Sequence, residues 1–162
     1  MDKIKADKLR YQTNSSAYLL VMLSVVFSVI SLFILITYDS YGTLDKPYFV
    51  KPDFRIGLEI VLGIVMMLVT FLAAEKVKFY SRIWGFYGLS ILALINIVRI
   101  FNIPFYAFEK VWITERIRLI SILGFAISAI CLIIAAIITT RKIIVLTQHL
   151  KELNEYGKTE FN

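Results

Sequence analysis

Four stretches of the chain are nearly free of charge, and polar, basic or proline-bearing segments separate them. No Asp, Glu, Lys or Arg occurs between Tyr11 and Tyr38, and the strongly apolar part of that interval covers about residues 17–38. A helix needs about 20 apolar residues to cross the hydrocarbon core of a bilayer. This run is too long for the core of a signal peptide, and Tyr38-Asp39-Ser40-Tyr41 offers no small-x-small cleavage pattern after it. The second stretch, 56–74, holds a single charge, Glu59, near its start. The third, 83–103, is interrupted only by Arg99 before Pro104 arrives. The fourth, 119–140, carries no charge at all, and Arg141 and Lys142 close it.

The connections are legible in the same way. Residues 39–55 contain Gly42, Pro47 and Pro52, which favour turns and extended chain. Residues 75–82 form a short basic turn, whereas the mixed, aromatic run 104–118 suggests a short interfacial helix before the fourth span. Beyond Arg141, the apolar positions Ile143, Leu146, Leu150 and Leu153 repeat at 3-4-3 spacing, a fragment of a heptad seam. The segment 141–156 therefore reads as a cytoplasmic helical tail, either an overrun of the fourth span or a docking helix. The expected fold is all-α: one membrane domain over 1–162, an integral membrane bundle of four transmembrane helices.

Composition strengthens that expectation. The 162-residue chain is 59% hydrophobic with a mean hydropathy of +0.75, against about 45–50% apolar for ordinary soluble domains. A water-soluble fold of this length has too little interior to hide the excess. The net charge of +6 and pI near 9.4 raise the question of nucleic acid. The basic residues flank the apolar runs instead of forming a face of their own, so the expected partner is anionic lipid at the cytoplasmic side, and not nucleic acid. Lys and Arg near the span ends number eleven on the side of the termini and the 75–82 turn, against seven on the other. By the positive-inside rule both termini are cytoplasmic. Cys131 is the single cysteine, so no intrachain disulfide forms. Rich Ile and Lys usage hints at an AT-rich bacterial genome and hence a bacterial plasma membrane.

Two constellations stand out as candidate sites. On the fourth span, Ser121, Gly124, Ser128, Cys131 and Ala135 recur at spacings of 3, 4, 3 and 4, which keeps small residues on one helix face. Small residues mark helix contacts in lipid, because close packing replaces hydrophobic expulsion there. Ser24, Ser28 and Ser31 form a shorter version on the first span, so the two faces meet within the monomer or one of them meets a second copy. The other constellation is charge at membrane depth: Glu59 and Arg99 lie at similar depth, with Asn96 and Asn102 three residues to either side of Arg99. Three-residue spacing places them on roughly one face. A pair between Glu59 and Arg99, completed by Asn96, removes the need for each charge to reach water separately. The alternatives are separate snorkelling to the headgroups, or Arg55 as the i+4 partner of Glu59.

Weaker features add little. His149 sits in the polar tail and reads as a solvated residue. Met66 and Met67 read as gap-filling core. Tyr38, Tyr41, Tyr48, Phe105, Tyr106 and Trp112 crowd one boundary and Tyr11, Tyr18, Phe79, Tyr80 and Trp84 the other, as aromatic belts do. The first set, with Pro47, Pro52 and Pro104, also offers a surface for a partner. No convergent nucleophile, base and metal set is recognisable, so neither enzyme activity nor a cofactor is expected. Three functional readings follow: a non-catalytic accessory or structural subunit of a larger membrane complex, a small homo-oligomeric transporter or channel using Glu59, Arg99 and Asn96, and a lipid-associated enzyme or scaffold.

Overall fold

Charge and backbone chemistry decide where the helices begin and end. The computed structural model describes residues 3–37, 54–109 and 113–159, and every element among them is helical. A short helix α1 (Lys3–Tyr11) precedes α2 (Ser15–Thr37). Next come α3 (Phe54–Lys78) and α4 (Leu89–Glu109), the latter entered through a π-helical turn at Trp84–Gly88. The last helix, α5 (Glu115–Thr159), has 45 residues and so extends about 68 Å at helical rise. Ser15–Leu35, Phe54–Lys78, Trp84–Glu109 and Glu115–Asn154 are each long and apolar enough to cross a membrane. The 39–53 part of the first connection, with its prolines and tyrosines, and Trp112 lie outside the described residues.

Three elements differ from the expectation. The polar amino-terminal flank is helical, and Ala6 packs inward from it. Its Asp7 Oδ1 lies 3.3 Å from His149 Nε2, so the tail histidine is buried against α1 instead of solvated. Both described ends of the chain therefore meet at one end of the bundle. Pro104 does not end the third span, because α4 continues to Glu109 with Pro104 buried inside it. Proline removes one intrahelical hydrogen bond, and neighbouring helices make that tolerable inside a membrane bundle. Residues 115–118 already belong to α5, so the 104–118 run divides between two spans and is not a separate interfacial helix among the described residues.

The turn between α3 and the π-helical segment is tight. Ser81 N–H donates to Lys76 O at 3.1 Å and Tyr80 N–H to Val77 O at 3.1 Å, while Tyr80 adopts φ 58°. This is a Schellman closure with a tyrosine where glycine is usual. Gly85 lets the next turn approach α5, since a Cβ there would lie 2.5 Å from Thr139 Cγ2.

The core falls into two apolar clusters. One, toward the termini, joins Ala17, Val21, Ala73, Val77, Leu89, Leu92, Leu132 and Ala135. The other, toward the opposite end, joins Leu35, Ile103, Ala107, Ile113, Ile117 and Phe125. The rest of the apolar surface faces outward: Leu58, Val61, Leu68, Phe101, Leu123 and Ile130 are all more than half exposed. Hydrocarbon is the medium that suits such a surface.

The small-residue face of α5 turns onto α2. Ser128 Oγ donates to Ser24 O at 2.9 Å and Ser121 Oγ to Ser31 O at 3.5 Å. A Cβ on Gly124 would stand 1.9 Å from Ser31 Oγ. Cys131 and Ala135 are buried along the same stripe. Gly57, by contrast, has nothing within 4 Å of where its Cβ would go. Replacing Gly124 by Leu is therefore expected to destabilise the bundle by about 1–3 kcal/mol or more through overpacking. The same change at Gly57 should be close to neutral. Denaturant titration in detergent micelles checks the contrast, and equal midpoints for the two variants would refute the tight α2–α5 contact.

Candidate functional site

Between the two apolar clusters lies a layer of polar side chains, and its position follows from helical periodicity. On α3, Ile56, Glu59, Met66, Thr70, Ala73 and Val77 are buried at spacings that keep them on one stripe, so Glu59 points inward with the core residues. On α4 the buried stripe includes Leu92, Asn96, Arg99 and Ile103. Glu59 and Arg99 are 3% and 2% exposed, and Arg99 Nε lies 2.5 Å from Glu59 Oε1.

The guanidinium reaches more than its carboxylate. Nη1 donates to Ser28 Oγ of α2 at 3.1 Å. The Ser28 hydroxyl in turn lies 3.4 Å from Asn96 Oδ1, and Asn96 Nδ2 donates to Leu92 O at 3.2 Å. The guanidinium carbon also sits 4.6 Å from the centre of the Phe125 ring of α5, a cation–π geometry. Side chains of all four spans thus converge on Arg99. Asn96 completes the network through Ser28, not by touching the ion pair itself.

One donor is left over. Arg99 Nη2 is buried and has no hydrogen-bond partner among the described residues. Gly63, one turn along α3 from Glu59, makes room for it: a Cβ there would stand 3.5 Å from Nη2 and 2.4 Å from Leu32 Cδ2. An alanine at this position would meet Leu32 before it met the arginine.

Asn102 departs from the expected cluster. Two steps of three residues rotate it well away from Asn96 on the helix, and it emerges exposed. There it accepts a hydrogen bond from Arg55 Nη2, whose guanidinium lies over the Tyr106 ring at 4.2 Å. Arg55 therefore serves a separate α3–α4 contact and is not the partner of Glu59. Among the described residues, no group of three or more His, Cys, Asp or Glu side chains comes together.

A second polar junction escaped the sequence reading. Asn14 is fully buried just before α2. Its N–H donates to Lys78 O at 2.9 Å, its Nδ2 donates to Thr139 Oγ1 at 3.1 Å, and its Oδ1 accepts from Lys142 Nζ at 2.9 Å. Asparagine ahead of an apolar run is a helix-start signal, but nothing in the sequence points to Thr139 and Lys142, 125 and 128 residues away.

Comparison of the chain with protein families, curated proteins and solved structures finds no match.

Truncating one member of a buried ion pair strands the other, at a cost of about 3–5 kcal/mol, whereas replacing both by apolar groups is often neutral. Glu59→Leu and Arg99→Leu should each lower unfolding stability in micelles strongly, and the double variant should recover most of the loss. Additive losses in the double variant would show that the two side chains do not form a coupled pair.

Proposed function

We propose that this chain is a non-catalytic accessory or structural subunit of a larger membrane complex, and that its buried charges hold the bundle together instead of carrying a substrate. The observation that carries this reading is the consumption of the intramembrane polar groups. Glu59, Arg99 and Asn96 are buried, and together with Ser28 they bond to one another. A transport pathway needs groups that water and substrate can reach, whereas these side chains are turned inward and paired with one another. The α5 small-residue stripe is spent on α2, so an external partner meets the apolar flanks of the bundle. The setting that fits is a bacterial plasma membrane with the termini in the cytoplasm, where the richer side of Lys and Arg is retained.

A second reading, a small homo-oligomeric transporter or channel, has one observation in its favour. The unpartnered Nη2 of Arg99, beside Gly63, is a cationic donor held ready at membrane depth.

Affinity purification in a mild detergent separates the two. The accessory reading expects larger membrane proteins to co-purify at fixed stoichiometry, and the Glu59→Gln variant to leave ion and small-solute flux in liposomes unchanged. A stable homo-oligomer without other partners, and flux lost in Glu59→Gln, would overturn it in favour of transport.

A further inference from the structure

Two crevices lie end to end along the junction of the third and fourth spans, sharing Phe86 and Thr140. The inner one, of about 420 Å³, is almost wholly apolar. Ser90, Ala93 and Ile97 of α4 face Ile133, Ala136 and Thr140 of α5, each set at spacings of three and four. The facing positions 90, 93 and 136 carry small side chains, so the helices leave a furrow between their larger neighbours. It opens toward lipid, where Leu94 and Ile137 are exposed. The outer crevice, of about 410 Å³, continues to the terminus-bearing end and changes character. Arg82, Thr147, Gln148 and Lys151 line it, and Arg141 lines the inner crevice beside the shared Thr140.

Charge sets the occupant. Arg82, Arg141 and Lys151 are exposed, and no ion pair or hydrogen bond engages them among the described residues. Neither crevice is lined by a carboxylate. Lys142, the fourth nearby cation, is held by Asn14 and Ser16 and takes no part. The buried Thr140 Oγ1, where the crevices join, has no hydrogen-bond partner among the described residues either. From residue 133 to residue 151 the furrow follows about 27 Å of α5, apolar at one end and cationic at the other. The π-helical turn at Trp84–Gly88 contributes to the wall, placing Phe86 and Tyr87 at the apolar-to-basic boundary, and such turns recur at functional sites.

We infer that this furrow is a binding site for one anionic phospholipid, with an acyl chain between α4 and α5, the phosphate beside Arg82 and Arg141 where the two crevices join, and Lys151 adding positive potential farther along α5. Basic pockets between transmembrane helices suit this chemistry, because the headgroup charge meets the cations at the depth where the acyl chain enters the apolar wall. A soluble anion gains nothing from the apolar half, and a zwitterionic lipid such as phosphatidylcholine brings a phosphate but also an ammonium group that the cationic rim repels. The inference stands whether the chain is an accessory subunit or a transporter.

Native mass spectrometry of the full chain, released from nanodiscs containing equal amounts of phosphatidylglycerol and phosphatidylcholine, tests it. One phosphatidylglycerol should stay bound with about tenfold preference, and millimolar inorganic phosphate should not displace it. The combined variant Arg82→Gln, Arg141→Gln, Lys151→Gln should lose the preference. The equally discharged variant Lys5→Gln, Lys8→Gln, Arg10→Gln, on α1, should keep it. Ser90→Phe, which fills the furrow from its exposed side, should lower occupancy while melting like the parent. The inference is overturned by equal retention of both lipids, by equal loss in the two discharged variants, by displacement with phosphate alone, or by a second copy of the chain bound in place of lipid.

Discussion

Arg99 sets the terms on which the four spans assemble. Separating a guanidinium from water at membrane depth is expensive. The fold answers by bringing a carboxylate from α3, a hydroxyl from α2 and an aromatic face from α5 to the same side chain. Each contact needs its helix at one depth and one rotation. An apolar interface in lipid tolerates sliding, because the tails are as oily as leucine and no expulsion fixes the register. The ion pair and its neighbours supply the register that apolar packing lacks.

Close packing then does the rest between α2 and α5. Gly124 lets Ser31 reach the helix backbone region, and Ser121 and Ser128 donate to carbonyls of α2 instead of seeking partners on their own helix. At the terminus-bearing end Asn14 repeats the strategy of Arg99 without charge, joining the start of α2 to the end of α3 and to α5. Two polar junctions, one in each half, pin the helices at separate depths, and the apolar clusters fill the space between and beyond them.

The four spans were legible because hydrophobic length is a one-dimensional signal. Glu59 and Arg99 were legible as a pair because a charge in an apolar run demands a partner, and Arg99 is the one basic residue inside the four apolar stretches. Asn102 shows the limit of spacing arguments: three-residue steps drift about 60° each around a helix, and two of them carried it out to Arg55. His149 was misread because its environment depends on α1, whose short polar sequence gives weak evidence for a helix that packs anything. Ser28, Phe125, Thr139 and Lys142 were missed as site residues for a related reason. Each acquires its role from a residue far along the chain, and no local pattern encodes which helix will lie opposite. Pro104 misled in another way, since the rule that proline ends a helix weakens where neighbouring helices shield the broken bond.

The distribution of polar contacts also makes the two halves of the bundle mechanically unequal. Around Arg99 the third span is tied to α2, α3 and α5 at once, so α4 has no freedom to separate there. Toward the termini, α5 is held to α2 by Asn14 and to the π-helical turn by the close approach at Gly85. Between these anchors Ser90, Ala93 and Ala136 are too small to fill the gap between α4 and α5. A furrow is what remains when two helices are fixed at both ends of a segment and small residues line its middle. In a bilayer such a furrow cannot stay empty without forfeiting dispersion contacts along its walls. The same placement of polar and small residues that fixes the fold therefore leaves an apolar furrow along the α4–α5 junction.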